Sequence, residues 1–154
     1  MLVWFNGTVS PIETASVPAA DHAHLYGDGL FEGIRIYGGQ VFKLDEHLTR
    51  LYHGAKFMNF KVEMTQEEMK AQILDVCRQA QIQDGYIRLN VTRGTGLGLD
   101  PKAVTTNANV MIMVSTLALY PPEAYETGLK VITTSYRVAP PSTLDQRLKC
   151  IGRY

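Results

Sequence analysis

Apolar and polar positions along the chain change period several times, and each change predicts an element. Leu30 to Tyr37 and Gln40 to Leu44 are two extended runs separated by Gly38 and Gly39. Glycine takes positive φ without a side-chain clash, so this two-residue link predicts a hairpin closed by a primed turn. The period then lengthens: Leu44, Leu48, Leu51, Tyr52, Ala55 and Met58 recur at three- and four-residue steps, lining one face of an amphipathic helix with Arg50 beside the stripe. Thr65 and Glu68 form a capping-box signature ahead of Met69, Ile73, Val76, Cys77 and Ala80, which predicts a second helix ending near Gln81. From Gly85 to Arg93 (GYIRLNVTR) the alternation is strict. Tyr86, Arg88, Asn90 and Thr92 share one face of that strand, and Ile87, Leu89 and Val91 share the other.

Shorter signals fill the intervals. Leu2 to Phe5, a turn at Asn6 and Gly7, and a return over Thr8 to Ser10 ending at Pro11 read as an opening hairpin at a sheet edge. Tyr26 to Gly29 (YGDG) joins no regular element cheaply, so the chain turns there before Phe31. Val110 to Thr116 is a further strand, and Tyr120, Pro121 and Pro122 break the pattern as a linker. Gly128 to Val138 resumes as a strand stopped at Pro140 and Pro141. Together these elements predict an α+β fold, a small antiparallel sheet domain with two helices over residues 1–118. A linker over 119–128 then leads into the start of a second, mixed α/β domain over 129–154.

Composition narrows the chemistry. A chain of 154 residues is large enough for one core and part of a second, and its formal net charge of zero offers no attraction to nucleic acid or an anionic membrane. No apolar run approaches the roughly 18–20 residues of a membrane helix, and no signal peptide is visible, which makes the cytoplasm the expected location. Cys77 and Cys150 form neither a disulfide framework nor a metal-ligand pair, and are expected to be reduced. His22 and His24 stand two apart with no third ligand nearby, so no metal site is expected and polar contacts are their better reading. GTGLG at Gly94 to Gly98 lacks the helix that a dinucleotide loop requires immediately after it. The expected partner is a small molecule.

YGDGLFEGIR, a GG hairpin and EHLTRLYHGAK, in that order and at compatible spacing, resemble the N-terminal half of the class IV (fold type IV) pyridoxal-phosphate aminotransferases. FEGIR and the YIR strand lean toward the branched-chain amino acid aminotransferase branch. The resemblance implies pyridoxal 5′-phosphate as cofactor, with Arg50 on its phosphate. It places Tyr86 and Arg88 in the substrate pocket and makes RGTGLGLD a loop between two sheet strands that reaches toward a neighbouring subunit. In STLDQRLKCIGRY, Lys149 occupies the place of the family's Schiff-base lysine, and Tyr154 is similar to a tyrosine that contacts the cofactor's ring hydroxyl. Without the resemblance, Arg50 is equally well a surface arginine paired with Asp45 or Glu46, and a solvated polar face is the better reading of the YIR strand.

The chemistry fits these residue types. Lysine can be neutralised and add reversibly to an aldehyde, and the freed amine can then shuttle a proton, whereas arginine stays charged and offers a planar donor pair suited to a phosphate. Phe31, Tyr26 and Tyr86 supply apolar walls with hydroxyl handles for a leucine, isoleucine or valine side chain. By resemblance, Arg88 meets the far carboxylate of glutamate or 2-oxoglutarate, with the Tyr26 hydroxyl beside it. Family members run to about twice this length, are dimers or larger, and carry the partner of the pyridine nitrogen after the lysine. The chain therefore reads as the N-terminal part of a homo-oligomeric enzyme, and by itself is expected to bind cofactor poorly. D-amino acid aminotransferase and 4-amino-4-deoxychorismate lyase share the fold but usually depart from FEGIR and YIR. A non-catalytic domain that only assembles with a partner is the remaining alternative.

Overall fold

The computed structural model of the chain describes residues 1–104, 106–117, 119–143, 145 and 147–153. Strands β1 (Leu2–Phe5) and β2 (Thr8–Pro11) form the opening hairpin, and a short helix α1 (His22–Tyr26) precedes β3 (Gly29–Tyr37). Next come β4 (Gln40–Val41), α2 (Leu44–Phe57), α3 (Gln66–Ala80), β5 (Gly85–Thr92), β6 (Asn109–Ser115) and α4 (Pro122–Thr127). The six strands make one antiparallel sheet in the order β2-β1-β6-β5-β3-β4. The expected α+β class holds, with α2 and α3 as the two long helices.

One sheet face supplies the core. Leu30, Ile34 and Ile36 of β3, Ile87, Leu89 and Val91 of β5, and Val110, Ile112 and Val114 of β6 are buried together with Leu48 and Leu51 of α2 and Met69, Ile73 and Val76 of α3. The period of two on the strands and of three to four on the helices brings these stripes into one layer. On the opposite face the register aligns Phe31, Asn90 and Met111 in one row and Gly33, Arg88 and Met113 in the next. The polar residues Arg88 and Asn90 of β5 thus lie on the side away from the long helices, flanked by residues of β3 and β6.

The local signals account for most ends. Gly38 and Gly39 take φ of 51° and 75°, the backbone of a primed turn. The Thr65 hydroxyl accepts from the Glu68 amide at 3.2 Å, and the Glu68 carboxylate accepts from the Thr65 amide at 2.7 Å. Thr65→Ala removes half of this reciprocal cap, so unfolding free energy is expected to fall by about 1 kcal/mol. Urea denaturation measures it, and an unchanged midpoint would show the cap to be dispensable.

Three expectations change. The run after the glycine turn is a strand only over Gln40–Val41, because Lys43 turns into a left-handed conformation (φ 53°) to enter α2. The stretch 128–138 is not a strand: Leu129, Val131, Ile132, Tyr136 and Val138 are exposed, and no described strand offers it backbone partners. An extended segment without a neighbour has no ladder to form, whatever its side chains prefer. The stretch 119–128, expected to be a linker, contains α4, entered through Pro121 and Pro122. Among the described residues no helix is long and apolar enough to cross a membrane. Cys77 and Cys150 are free thiols, and burial pushes Cys77 up to about 11, so it stays protonated and unreactive at neutral pH.

Candidate active site

The site grows from two consecutive residues of β3. Because side chains alternate along a strand, Phe31 faces the open side of the sheet and Glu32 faces the helices. Glu32 therefore occupies a core position between Leu30 and Ile34, and its exposure is 0%. A buried carboxylate is tolerable only when donors surround it. Arg50 supplies two of them, Nε to Oε1 at 2.7 Å and Nη2 to Oε2 at 2.6 Å. His47, one turn earlier on α2, brings Nδ1 to 2.8 Å of Oε2. At that distance from an ionised carboxylate Nδ1 carries the proton, so the nearby Arg50 Nη2 at 3.3 Å makes no hydrogen bond to it. The hydrogen bond with Glu32, reinforced by its charge, raises the Arg50 guanidinium above its ordinary value against the opposing effect of burial.

The sequence offered Asp45 or Glu46 as the partner of Arg50, and the structure gives neither. Asp45 accepts from Lys70 at 2.7 Å and Glu46 from Lys43 at 2.7 Å. Glu32 went unrecognised although it carries a signal, an acid within the apolar face Leu30, Ile34, Ile36. Beside Arg50 a cavity of 630 Å³ opens between α2 and the segment leading to Lys149, lined by His53, Gly54, Phe57, Arg147 and Leu148. At its rim Arg147 hydrogen-bonds Asp145 and holds that carboxyl down at about 2.

On the open face the same strand seats Lys149. The Phe31 amide donates to the Lys149 carbonyl at 2.9 Å, and Leu30 pairs with Cys150, so residues 149–150 run along the edge of β3 away from β5. Lys149 Nζ stands 4.4 Å from the Phe31 ring centroid, and the Arg88 guanidinium carbon 3.9 Å from it. Both cations use the negative face of one ring. Arg88 also donates Nε to the Asn90 side-chain carbonyl at 2.9 Å. Tyr86 lies over Gly33, where an added Cβ would come within 2.7 Å of the tyrosine oxygen, so a side chain there would displace the Tyr86 ring.

Phe31, Tyr86, Arg88 and Lys149 thus gather on the open side of β3 and β5, while Arg50 meets the same strand from the helix side. Tyr26 is placed differently from expectation. It ends α1, and its hydroxyl accepts from the Gly98 amide at 2.9 Å, tying it to the glycine loop instead of to Arg88. Tyr154 lies outside the described residues. Helix α1 was not anticipated, yet its punctuation is in the sequence: Asp21 caps it by accepting from the Ala23 amide at 2.8 Å, and Gly27 ends it at φ 68°. His22 is buried with Nδ1 3.3 Å from Asp28, whose other partner is Arg93 at 2.6 Å.

This arrangement can be set beside known proteins. Residues 29–154 match the model of the family described as amino-transferase class IV. The chain belongs to that family. It is 41% identical over 153 residues to a putative branched-chain-amino-acid aminotransferase of Methanocaldococcus jannaschii, covering 99% of this chain and 52% of that protein. Its fold superposes on the Escherichia coli branched-chain amino acid aminotransferase with a TM-score of 0.89 at 33% identity, covering 99% of this chain and 52% of the enzyme. A T.th. branched-chain amino acid aminotransferase complexed with N-(5′-phosphopyridoxyl)-L-glutamate gives 0.84 at 30% identity, over 99% and 50% of the two chains. A 4-amino-4-deoxychorismate lyase from Pseudomonas aeruginosa is less similar, with a TM-score of 0.66 at 29% identity over 83% and 44%. As a class IV aminotransferase chain it spans about half the length of the curated relatives it matches.

Proposed function

We propose that the chain is the N-terminal half of a pyridoxal 5′-phosphate-dependent aminotransferase that exchanges the amino group between branched-chain L-amino acids and 2-oxoglutarate. The observation that carries this reading is the seating of Lys149 and Arg50 on adjacent residues of one strand. Lys149 runs along β3 at Phe31 and Arg50 grips Glu32 of the same strand from the helix side, so one strand fixes a lysine and an arginine remote in sequence. A group with an aldehyde at one end and a phosphate at the other needs that pair. The donor chemistry fits: an arginine anchored on a buried carboxylate beside a cavity, and a lysine held on a ring face.

In this reading Arg50 holds the phosphate through its outward edge. Lys149 is the residue that would hold the cofactor's aldehyde carbon through Nζ, and its amine, when free, would move the proton at the substrate's α-carbon. The cofactor, when bound, supplies the aldehyde and a ring that withdraws electrons from the reacting carbon. Phe31 and Tyr86 wall the branched side chain. Arg88, whose Nε is committed to Asn90, turns its terminal amino groups to the far carboxylate of an acidic substrate. Tyr26 and the glycine loop that holds its hydroxyl form a unit that reaches a neighbouring subunit's pocket, and the assembled enzyme is at least a dimer. Residues 129–154 begin the second domain. The branched-chain relatives favour this substrate class over the lyase and the D-amino acid branch.

The test is chemical trapping in the protein carried to the length of its relatives. Borohydride reduction in the presence of pyridoxal 5′-phosphate is expected to leave a stable adduct on Lys149, found by peptide mapping. An adduct on another lysine, or none, would refute the assignment. Activity with D-alanine and not with leucine would overturn the substrate class.

A further inference from the structure

We infer that Glu32 is a positioning residue for the cofactor's phosphate: it fixes the Arg50 guanidinium so that one edge faces the cavity, and His47 completes the hold. The inference rests on the reading above that Arg50 receives the phosphate, and goes beyond it in naming what makes Arg50 competent. Three features carry it. Glu32 is fully buried, whereas the Arg50 side chain is 46% exposed, so the acid forms the fixed end of the pair and the guanidinium the presented end. Both carboxylate oxygens are used, in a fork to Nε and Nη2, which fixes the plane of the guanidinium as well as its position. Nη1 is then the edge left over, and among the described residues it meets no acceptor, while Arg50 lines the 630 Å³ cavity. A flexible surface arginine would lose side-chain entropy on gripping a phosphate. One already clamped from below has lost it on folding.

His47 adds the third donor, at 2.8 Å to Oε2, one helical turn from Arg50. The carboxylate can therefore not rotate away when Arg50 is drawn toward an anion. Phe31, the residue before Glu32, bonds to the Lys149 backbone and seats its amine. The same strand thus anchors both the lysine and the arginine of the proposed site. A side chain that served the core alone would need no such geometry, because an apolar residue of similar volume fills that position without desolvating a charge.

The experiment compares binding of pyridoxal 5′-phosphate and of pyridoxal, which lacks the phosphate, by the full-length enzyme and its variants, read from the absorbance of the bound ring. Glu32→Gln keeps the volume and loses the charge. It is expected to weaken the phosphorylated ligand about 10-fold while leaving pyridoxal unchanged, with Glu32→Asp intermediate. An equal loss for both ligands, or an unchanged preference, would overturn the positioning role. Should Glu32→Gln fail to fold, His47→Ala, at a half-buried position on α2, reads the same ratio, and there a retained preference counts against the proposal and a reduced one for it. Arg50→Ala separates the two readings. If it leaves the ratio intact, the phosphate assignment itself falls. If it abolishes the preference while Glu32→Gln does not, only the positioning role falls. In the Arg50→Ala background Glu32→Gln is expected to cause no further change, because the acid acts only through the arginine.

Discussion

Lys149→Ala is expected to lower the transamination rate of the full-length enzyme by about 10²- to 10⁴-fold, the usual worth of a positioned general acid–base. It should also abolish the borohydride-stable adduct. The two readouts report the two roles of the amine, since alanine can neither join the cofactor nor carry a proton. Folding should be nearly unaffected, because the backbone bond from the Phe31 amide to the carbonyl of residue 149 does not involve the side chain. An added primary amine in the assay is expected to restore part of the rate by carrying the proton from solution. A variant that kept the parent rate would remove Lys149 from the mechanism and leave its stacking on Phe31 as packing alone.

Arg88→Ala should raise the KM for glutamate and 2-oxoglutarate by about 10- to 100-fold, the worth of hydrogen bonds between charged groups. The KM for leucine should change little, since an apolar side chain gains nothing from the guanidinium. The geometry supports such a split. Arg88 is flattened on Phe31 at 3.9 Å and tethered by Nε to Asn90, so its terminal amino groups are aimed and not searching. Steady-state kinetics with both substrates decides it. Equal increases for leucine and glutamate would show that Arg88 supports the pocket wall without reading the carboxylate.

The two substitutions address residues that sequence motifs pointed to, but what surrounds them was hidden. The alternation in GYIRLNVTR placed Tyr86, Arg88 and Asn90 on one face, and the register confirms that face as the open one. It could not show that Arg88 shares an aromatic ring with a lysine from the far end of the chain. Arg50 was legible as a residue beside the apolar stripe of α2, yet its partner was sought one turn away on the same helix and lies instead on β3. Local spacing lists the neighbours a helix can offer itself. It does not list those a strand brings from below.

Periodicity and turn chemistry by themselves determined the two hairpins, α2, α3 with its capping box, β5 and β6, because each is decided within a few residues by side-chain spacing, caps and positive-φ positions. The family was legible separately, as a resemblance carried by motifs that lie in order. Only the tertiary structure decided that β6 enters between β1 and β5, that Glu32 lies beneath Arg50, and that Lys149 rests on Phe31. The physical reason is that each of these depends on which backbone edge or buried charge finds a partner remote in sequence. The stretch 128–138 shows the same rule from the other side: its residues favour a strand, and with no described neighbour to complete the ladder it stays irregular.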